Sequence, residues 1–401
     1  MKNSNKFLVL LSLFSLLSAC NKNTSGSSDS SDIVEESSSS EESSISHDEL
    51  AFNINLKDTT YEFHSEKQLA YLNDDYENVR NYADGLYEYS RPVAFELSWE
   101  TSGNPLGVFK NYRFNLYENE IDDANLTVYE RVAPHISLIN LKMNTTYYFS
   151  IDAIYSLQNY SSIINQFATT SLGPRNLYIE GVKNARDIGG YVLEDESGFV
   201  NQGLIYRTAR LNKSETTKVV QEITEYGIQT MREQLKIKSE IDLRHNWLSG
   251  GAYETGGLVD TSLLGDDINY YQCPLNYSSS DILSLNKEMF KTIFDLLMDK
   301  NNYPLFYHCD IGTDRTGLLT IYLLGMFGVS INDIYRDYLF SNFSNIGDDR
   351  SLLDIANNIN FINSHDGDTF KDRVIATLLE SGITLNQIET ISNYMITKGG
   401  K

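Results

Sequence analysis

The chain has 401 residues, of which 41% are hydrophobic and 12% aromatic, enough apolar material for two or three domains with cores of their own. Its formal net charge is -23. A surface with this excess of carboxylates repels phosphate backbones, so the composition argues against a general nucleic-acid-binding protein. Any anionic ligand is therefore expected in a small cationic site within a negative field.

The first 20 residues are typical of an export signal. Two lysines precede an apolar run that is too short to span a membrane, and the run ends in Leu17-Ser18-Ala19-Cys20. Small residues before a cysteine resemble the cleavage site of bacterial lipoproteins, where the cysteine is lipidated. We expect residues 1–20 to be a lipoprotein signal peptide and Cys20 to anchor the protein at the extracytoplasmic face of the cell membrane. An ordinary secretory signal is the alternative.

Residues 21–48 are mostly Ser, Asp, Glu and Asn. Such a composition buries too little apolar surface to offset the entropy cost of ordering the chain. We therefore predict a disordered linker that spaces the folded part from the membrane.

Residues 49–172 are predicted to form an all-β domain. Three stretches alternate apolar and polar residues, as strands with one buried face do: 93–99, 112–116 and 147–153. The stretch from Leu141 to Tyr147 resembles the L-x-x-x-T-x-Y corner of fibronectin type III domains, in which the tyrosine hydroxyl bonds back to the chain. We expect an immunoglobulin-like or fibronectin type III-like sandwich that orients its neighbour, with residues 66–83 adding a strand or a helix.

Residues 173–401 alternate predicted strands with predicted helices, which indicates an α/β domain with a central sheet flanked by helices. The predicted strands are 203–208, 237–243, 268–275 and 303–307, and the predicted helices are 214–226, 285–298, 317–327, 352–363, 370–379 and 385–395. The stretch from Gly317 to Phe327 is apolar nearly all round, so its helix is expected to be central and buried.

Between the last of these strands and the buried helix, residues 308–317 read HCDIGTDRTG. A strand, a tight loop and a helix in this order present helix N-terminal amides to an anion. A helix N-terminus and a nearby arginine also lower the pKa of a cysteine thiol, which makes Cys309 the candidate nucleophile. The residues expected to bind a phosphoryl group are Asp310, Ile311, Gly312, Thr313, Asp314 and Arg315. We expect His308 to support the loop and Thr316 to donate a hydrogen bond to the thiolate.

A histidine followed by Cys-x5-Arg-Thr-Gly resembles the signature of cysteine phosphatases, and the chain is similar to the bacterial branch of the protein-tyrosine phosphatase superfamily that carries HCxxGxDRTG. Four further stretches fit that branch: 184–190 (NARDIGG), 203–208 (GLIYRT), 241–244 (IDLR) and 338–342 (YLFSN). The resemblance implies a phosphatase domain that hydrolyses phosphate monoesters through a phosphocysteine, with no metal and no other cofactor.

The resemblance also suggests a general acid. Asp314 matches the family's loop aspartate and is the first choice. Asp281 lies where related phosphatases keep a mobile acid loop and is the second choice, although it also fits an ordinary helix N-cap. Other charged residues in the matching stretches are expected to support the site: Asp187, Asp242 and Arg244 by holding the loop, and Arg186 by touching substrate.

The predicted substrate is a phosphotyrosine-like monoester on a protein, a peptide or a small molecule. Relatives that act on phosphoinositides usually carry a lysine where this chain has Thr313, and Asp310 adds a further negative charge, so both residues weaken the case for a polyphosphate. A phosphoinositide or inositol-phosphate phosphatase is the alternative, and an inactive phosphate-binding surface lipoprotein is the alternative of another class. Cys273 is expected to be a core residue, with a reversible disulfide to Cys309 as the lesser hypothesis.

Overall fold

A computed structural model describes residues 49–170, 173–213, 221–245, 259–276 and 282–399. The predicted signal peptide with Cys20, the predicted linker and the second candidate acid, Asp281, lie outside these residues. Within the described ranges no helix combines the length and the apolar composition needed to cross a membrane.

Two sheets at the start of the described chain face each other across one hydrophobic core. Their strands are β1 (Leu50–Asn55), β2 (Thr60–Tyr61), β3 (Phe95–Gly103), β4 (Phe109–Glu118), β5 (Leu126–Arg131), β6 (His135–Leu138), β7 (Thr146–Tyr155), β8 (Asn159–Ser161) and β9 (Asn165–Thr169). One sheet has the order β1-β3-β6, and the other has β2-β9-β7-β4-β5 with β8 on β7. The rings of Phe95 on β3 and Phe167 on β9 stack with their centroids 3.9 Å apart, so the two sheets are in direct contact.

The three strands predicted in this region are confirmed as parts of β3, β4 and β7, because their alternate side chains enter the shared core. At the predicted corner, the backbone N–H of Lys142 donates to the hydroxyl of Tyr147 at 2.9 Å. This is the bond that the resemblance implies, while the fibronectin type III likeness stays a prediction.

The segment predicted as one element over residues 66–83 is two short ones. Helix α1 (Glu66–Leu72) ends where the side chain of Asn73 donates to the carbonyl of Leu69 at 2.8 Å, and a 3-10 turn follows at Tyr76–Asn81. The buried side chains of this segment, including Tyr71 and Val79, belong to the core of the second region and not to that between the two sheets. The part of the folded chain before residue 170 therefore contributes to two cores, that between the two sheets and that of the second region.

The second region is a six-stranded sheet with helices around it. Its strands are β10 (Arg175–Asn176), β11 (Arg186–Asp187), β13 (Ile205–Thr208), β14 (Ser239–Asp242), β15 (Asn269–Gln272) and β16 (Leu305–His308), and a separate pair is formed by β12 (Gly198–Val200) and β17 (Ile396–Lys398). The helices are α2 (Glu225–Gln229), α3 (Ile282–Leu285), α4 (Lys287–Met298), α5 (Asp314–Phe327), α6 (Ile331–Leu339), α7 (Ala356–Asn363), α8 (Phe370–Glu380) and α9 (Leu385–Met395). The sheet order is β10-β11-β13-β16-β14-β15.

The four strands from β13 to β15 in this order run parallel and in register, so they end at the same edge of the sheet. Thr208, Asp242 and His308 lie side by side there. Helix α5 follows β16 after a loop of five residues and is buried, as predicted. The loop therefore lies at this edge of the sheet, next to the N-terminus of α5.

The helix predicted over residues 214–226 is wrong at residues 221–224. Residues 221–224 are not helical, and α2 begins only at Glu225, because the hydroxyl of Thr224 accepts from the backbone N–H of Gly227 at 3.1 Å and caps the helix there. The buried helix α5 begins at Asp314, three residues before the predicted start, so Asp314 lies in its first turn.

Candidate active site

The loop from Cys309 to Thr313 connects β16 to α5. Cys309 is 1% exposed and Arg315, in the first turn of α5, is 8% exposed. Gly312 has a φ of +72° and lies so close to the end of β13 that a Cβ on it would be 2.6 Å from the carbonyl oxygen of Thr208. Only glycine tolerates this backbone at such a distance, which explains the residue at this position.

The loop turns its carbonyl groups outward. The side-chain amide of Asn184 donates to the carbonyls of Ile311 at 3.1 Å and Gly312 at 3.0 Å, and Arg207 donates to the carbonyl of Gly312 at 2.7 Å. The backbone N–H groups of residues 310–313, by contrast, donate to no other residue in the part of the chain that the structure describes. Such a ring of unused donors beside a buried thiol fits the oxygens of a phosphoryl group.

His308 lies below the loop and contacts it directly. Its Nδ1 lies 3.1 Å from the carbonyl oxygen of Cys309, and its Nε2 lies 2.9 Å from a carboxylate oxygen of Glu240. Because a carbonyl oxygen only accepts, Nδ1 carries a proton. The second oxygen of Glu240 accepts from the hydroxyl of Ser262 at 2.5 Å. The sequence analysis did not identify Glu240. An acidic residue within an otherwise apolar predicted strand could have indicated it.

Asp242 and Arg244 form a buried pair beside this histidine. The guanidinium of Arg244 donates to Asp242 at 2.7 Å, and the hydroxyl of Tyr270 donates at 2.9 Å. Burial acts to raise the pKa of Asp242, but the charge of His308 and the bonds from Arg244 lower it to about 2. The structure thus places both residues under the loop, where they reach it through His308, whose Nε2 lies 3.9 Å from Asp242.

Asp310 is paired, which changes its expected electrostatic effect. Its carboxylate forms an ion pair with Arg210, whose side chain is fully buried. The backbone carbonyl of Asp310 accepts from the backbone N–H of Arg210 at 3.1 Å and from the side-chain amide of Gln221 at 3.2 Å. The sequence interpretation counted Asp310 as a further negative charge, and the structure adds that this carboxylate is paired with Arg210. Arg210 was not identified from the sequence either, although its position just after the predicted strand 203–208 could have indicated a residue near the loop.

The first candidate acid, Asp314, lies at the start of α5 with its side chain 23% exposed. Its carboxylate is 3.3 Å from Nε of Arg350. Burial acts to lower the pKa of Arg350, but the neighbouring Asp314 raises it above its ordinary value. The side chain of Asn342 holds Arg350 in place, accepting from its backbone N–H at 2.7 Å and donating to its carbonyl at 2.9 Å.

Arg186, which was expected to touch substrate, is fully buried. Its guanidinium donates to Asn184 at 2.6 Å and to Asp337 at 3.3 Å. Burial and the nearby charge of Arg207 lower the pKa of Arg186 to about 10, so it remains protonated at neutral pH.

Asp187 does not contact the loop within the described residues. It accepts from Arg175 at 2.5 Å and from the backbone N–H groups of Gly189 and Gly203, each at 2.7 Å. It therefore holds the turn beside β11 and not the loop, in contrast to the prediction.

The hydroxyl of Thr316 is buried and makes no hydrogen bond within the described part of the chain, so the predicted bond to the thiolate is not formed. Cys273 is a free, buried cysteine. Burial, helped by the charge of Asp242, raises its pKa to about 12. Because β14 lies between the strands that lead to Cys273 and Cys309, their Cα atoms are roughly 9–10 Å apart, beyond the reach of a disulfide.

Residues 177–380 match the sequence model of the Tyrosine phosphatase family, which is just over half of the chain. The core catalytic domain of the PP-IP phosphatase Siw14 from S. cerevisiae, solved in complex with citrate, is 17% identical, with a TM-score of 0.27, over 49% of this chain and 94% of that one. TpbA from P. aeruginosa is 15% identical, with a TM-score of 0.26, over 44% of this chain and 88% of that one. No curated protein matches the sequence.

Proposed function

The chain belongs to the tyrosine phosphatase family and is a phosphoric monoester hydrolase, and from this premise we propose that its substrates are phosphotyrosine and similar monoesters, cleaved at Cys309 through a phosphocysteine. The observation that carries the proposal is the loop itself. Four backbone N–H groups, at residues 310–313, have no acceptor among the described residues, and they are joined by Arg315 at the start of a buried helix. This arrangement holds three phosphoryl oxygens while the sulfur attacks phosphorus.

The reaction has two steps. In the first, the sulfur of Cys309 forms a bond to phosphorus, the bond from phosphorus to the ester oxygen breaks, and an acid gives that oxygen a proton. In the second, the same group takes a proton from water, the water oxygen bonds to phosphorus, and the bond to sulfur breaks. Inorganic phosphate leaves and the thiolate is restored.

Asp314 is the proposed acid. It lies in the first turn of α5, next to Arg315, and its side chain is partly exposed. Its contact with Arg350 fixes the carboxyl group in one orientation. Proton transfer by a positioned carboxyl group contributes about 100-fold or more to the rate.

A leaving-group comparison tests this assignment. If Asp314 protonates the ester oxygen, Asp314→Asn lowers kcat most for phosphotyrosine, whose phenol is a poor leaving group, and least for p-nitrophenyl phosphate. Asp281→Asn is the matched control, because it removes the other candidate carboxyl group. A loss that is equal for both esters in Asp314→Asn, or a leaving-group-dependent loss in Asp281→Asn, contradicts the assignment.

The charges around the loop support a substrate with one phosphate. Arg210 is paired with Asp310, Arg244 with Asp242 and Arg350 with Asp314. Each of these guanidiniums is therefore compensated by a carboxylate, and a second phosphate has to compete with that carboxylate for it. A monoester needs only the loop amides and Arg315.

We also propose that the protein is exported, is anchored to the membrane through a lipid on Cys20, and carries a fibronectin type III-like domain in front of the phosphatase domain. The signal-like start of the sequence supports the anchor, and the two facing sheets with the bond from Lys142 to Tyr147 support the domain. We expect the wild-type protein to incorporate labelled palmitate and Cys20→Ala to incorporate none. Equal incorporation in this variant contradicts the anchor.

The substrate is tested with a panel of phosphotyrosine peptides, phosphoserine peptides, phosphoinositides and inositol phosphates, with Cys309→Ser as the inactive control. We expect the highest kcat/KM on phosphotyrosine peptides. A clear preference for a polyphosphorylated inositol contradicts the substrate assignment. Binding of tungstate without turnover of any of these esters identifies an inactive phosphate-binding protein instead.

A further inference from the structure

We propose that Asp337 and its two arginines, Arg186 and Arg207, are positioning residues that hold the phosphate loop open for an oxyanion. The inference rests on the proposed function, because it concerns the same loop. Asp337 lies on α6, the helix that follows α5, 28 residues after Cys309 in the sequence. Neither Asp337 nor the arginines contact the thiol in this arrangement; they act through the backbone of the loop.

Asp337 is 1% exposed and accepts from three side chains. One of its oxygens accepts from Nε of Arg186 at 3.3 Å and from the hydroxyl of Tyr191 at 3.2 Å, and the other accepts from Nη1 of Arg207 at 2.5 Å. A single buried carboxylate thus orients two buried guanidiniums. The trio carries one net positive charge, which favours an anion on the other side of the loop.

Each arginine leads to the loop by its own path. Arg207 reaches it directly, because Nη2 donates to the carbonyl of Gly312 at 2.7 Å. Arg186 reaches it through Asn184, whose side-chain oxygen accepts from Nη1 at 2.6 Å. With that oxygen occupied, the side-chain nitrogen of Asn184 has to face the loop, where it donates to the carbonyls of Ile311 and Gly312.

These bonds have a catalytic consequence because the peptide group is planar. In a trans peptide the C=O of one residue and the N–H of the next point in opposite directions. Fixing the carbonyls of Ile311 and Gly312 outward therefore fixes the N–H groups of Gly312 and Thr313 inward, toward a bound phosphoryl group. The trio sets the direction of two of the donors on which the proposed reaction depends.

Arg207→Lys is the direct test, because a lysine keeps a positive charge beside Asp337 but loses the second donor to the Gly312 carbonyl. Arg175→Lys is the matched control. Arg175 is 3% exposed, pairs with Asp187 at 2.5 Å and donates to the carbonyl of Asn140 at 2.5 Å, yet it does not touch the loop. The two substitutions remove the same kind of buried bond at different places.

We expect Arg207→Lys to raise the dissociation constant of tungstate about tenfold and to lower kcat/KM for p-nitrophenyl phosphate by a similar factor. Arg175→Lys should lower the thermal stability without changing either value. Calorimetric titration with tungstate, steady-state kinetics and thermal unfolding measure the three quantities. Equal tungstate affinity in both variants and the wild type overturns the proposal.

Asn184→Gly is a second variant that leaves every charge in place. Asn184 has a φ of +54°, and glycine adopts this backbone without strain. Loss of the side-chain amide should again weaken tungstate binding, and unchanged binding overturns the path through Arg186. A wild-type protein that binds tungstate but hydrolyses no ester contradicts the proposed function alone, since the loop is then held open without turnover.

Discussion

Gly312 offers a sharp test of the loop geometry, because an added methyl group there meets backbone atoms. In Gly312→Ala the new Cβ would lie 2.6 Å from the carbonyl oxygen of Thr208 and 2.8 Å from the nitrogen of Ala209. Favourable separations of such atoms are about 3.5 Å or more. The loop and the end of β13 must therefore move apart by roughly 1 Å.

The magnitude follows from two effects. A left-handed backbone costs an alanine about 1–2 kcal/mol, and the overlap costs about 1–3 kcal/mol more. A misplacement of 1 Å at a reacting group reduces the rate about 100-fold, so we expect kcat/KM to fall by about this factor in Gly312→Ala.

Gly328, just after the C-terminus of α5, provides the control. Its φ is +93°, but a Cβ there would meet only the flexible side chain of Lys371, at 3.2 Å. Gly328→Ala should therefore cost about 1–2 kcal/mol of stability and leave kcat/KM unchanged. The assays are urea unfolding and hydrolysis of p-nitrophenyl phosphate by both variants. If Gly312→Ala is less stable but keeps the kcat/KM of the wild type, the loop geometry does not control the rate and the expectation is wrong.

Three further predictions concern the residues that surround the site. Glu240→Gln removes the buried carboxylate below His308, and urea unfolding should show a loss of about 1–3 kcal/mol; an unchanged value would mean that the pair adds nothing. Asp242 has a pKa lowered from 3.8 to about 2, so it contributes about 2 kcal/mol of stability above its ordinary pKa. That contribution disappears as the pH falls from 3.8 toward 2, and the pH dependence should be weaker in Asp242→Asn; identical acid unfolding curves would contradict it. Tyr71→Ala removes a fully buried ring that packs against Phe340 and Phe343, which should cost about 3–5 kcal/mol. Tyr87 is exposed, so Tyr87→Ala should not change the stability measurably. Equal stabilities of the two variants would show that the segment before β3 is not part of the core of the second region.

Local sequence patterns were sufficient for the elements that form the site. The apolar run from Gly317 to Phe327 predicted a buried helix, and the HCDIGTDRTG stretch before it predicted where the loop lies, because each of these features is encoded within about a dozen adjacent residues. The alternating strands of the first region were predicted for the same reason. The two short elements within residues 66–83 were not predicted, since nothing local shows that Tyr71 packs on Phe340 and Phe343, just after α6, instead of between the two sheets.

The partners of the loop residues could not be predicted, because they are far apart in the sequence. Arg210 neutralises Asp310 from 100 positions away, and Glu240 lies 68 positions before His308. The contact between Arg186 and Asp337 spans 151 positions. Only the fold brings these charges together. The sequence alone therefore shows Asp310 as a negative charge beside Cys309, whereas the structure pairs it with an arginine.

The most direct test of the central claim is to trap the intermediate. Protein mixed with a phosphotyrosine peptide, quenched in alkaline denaturant and digested, should yield one peptide containing Cys309 that carries the mass of a phosphoryl group, and Cys309→Ser should yield none. Turnover of the ester without this modified peptide, or with the label on another residue, would contradict the assignment of Cys309 as the group that accepts the phosphoryl.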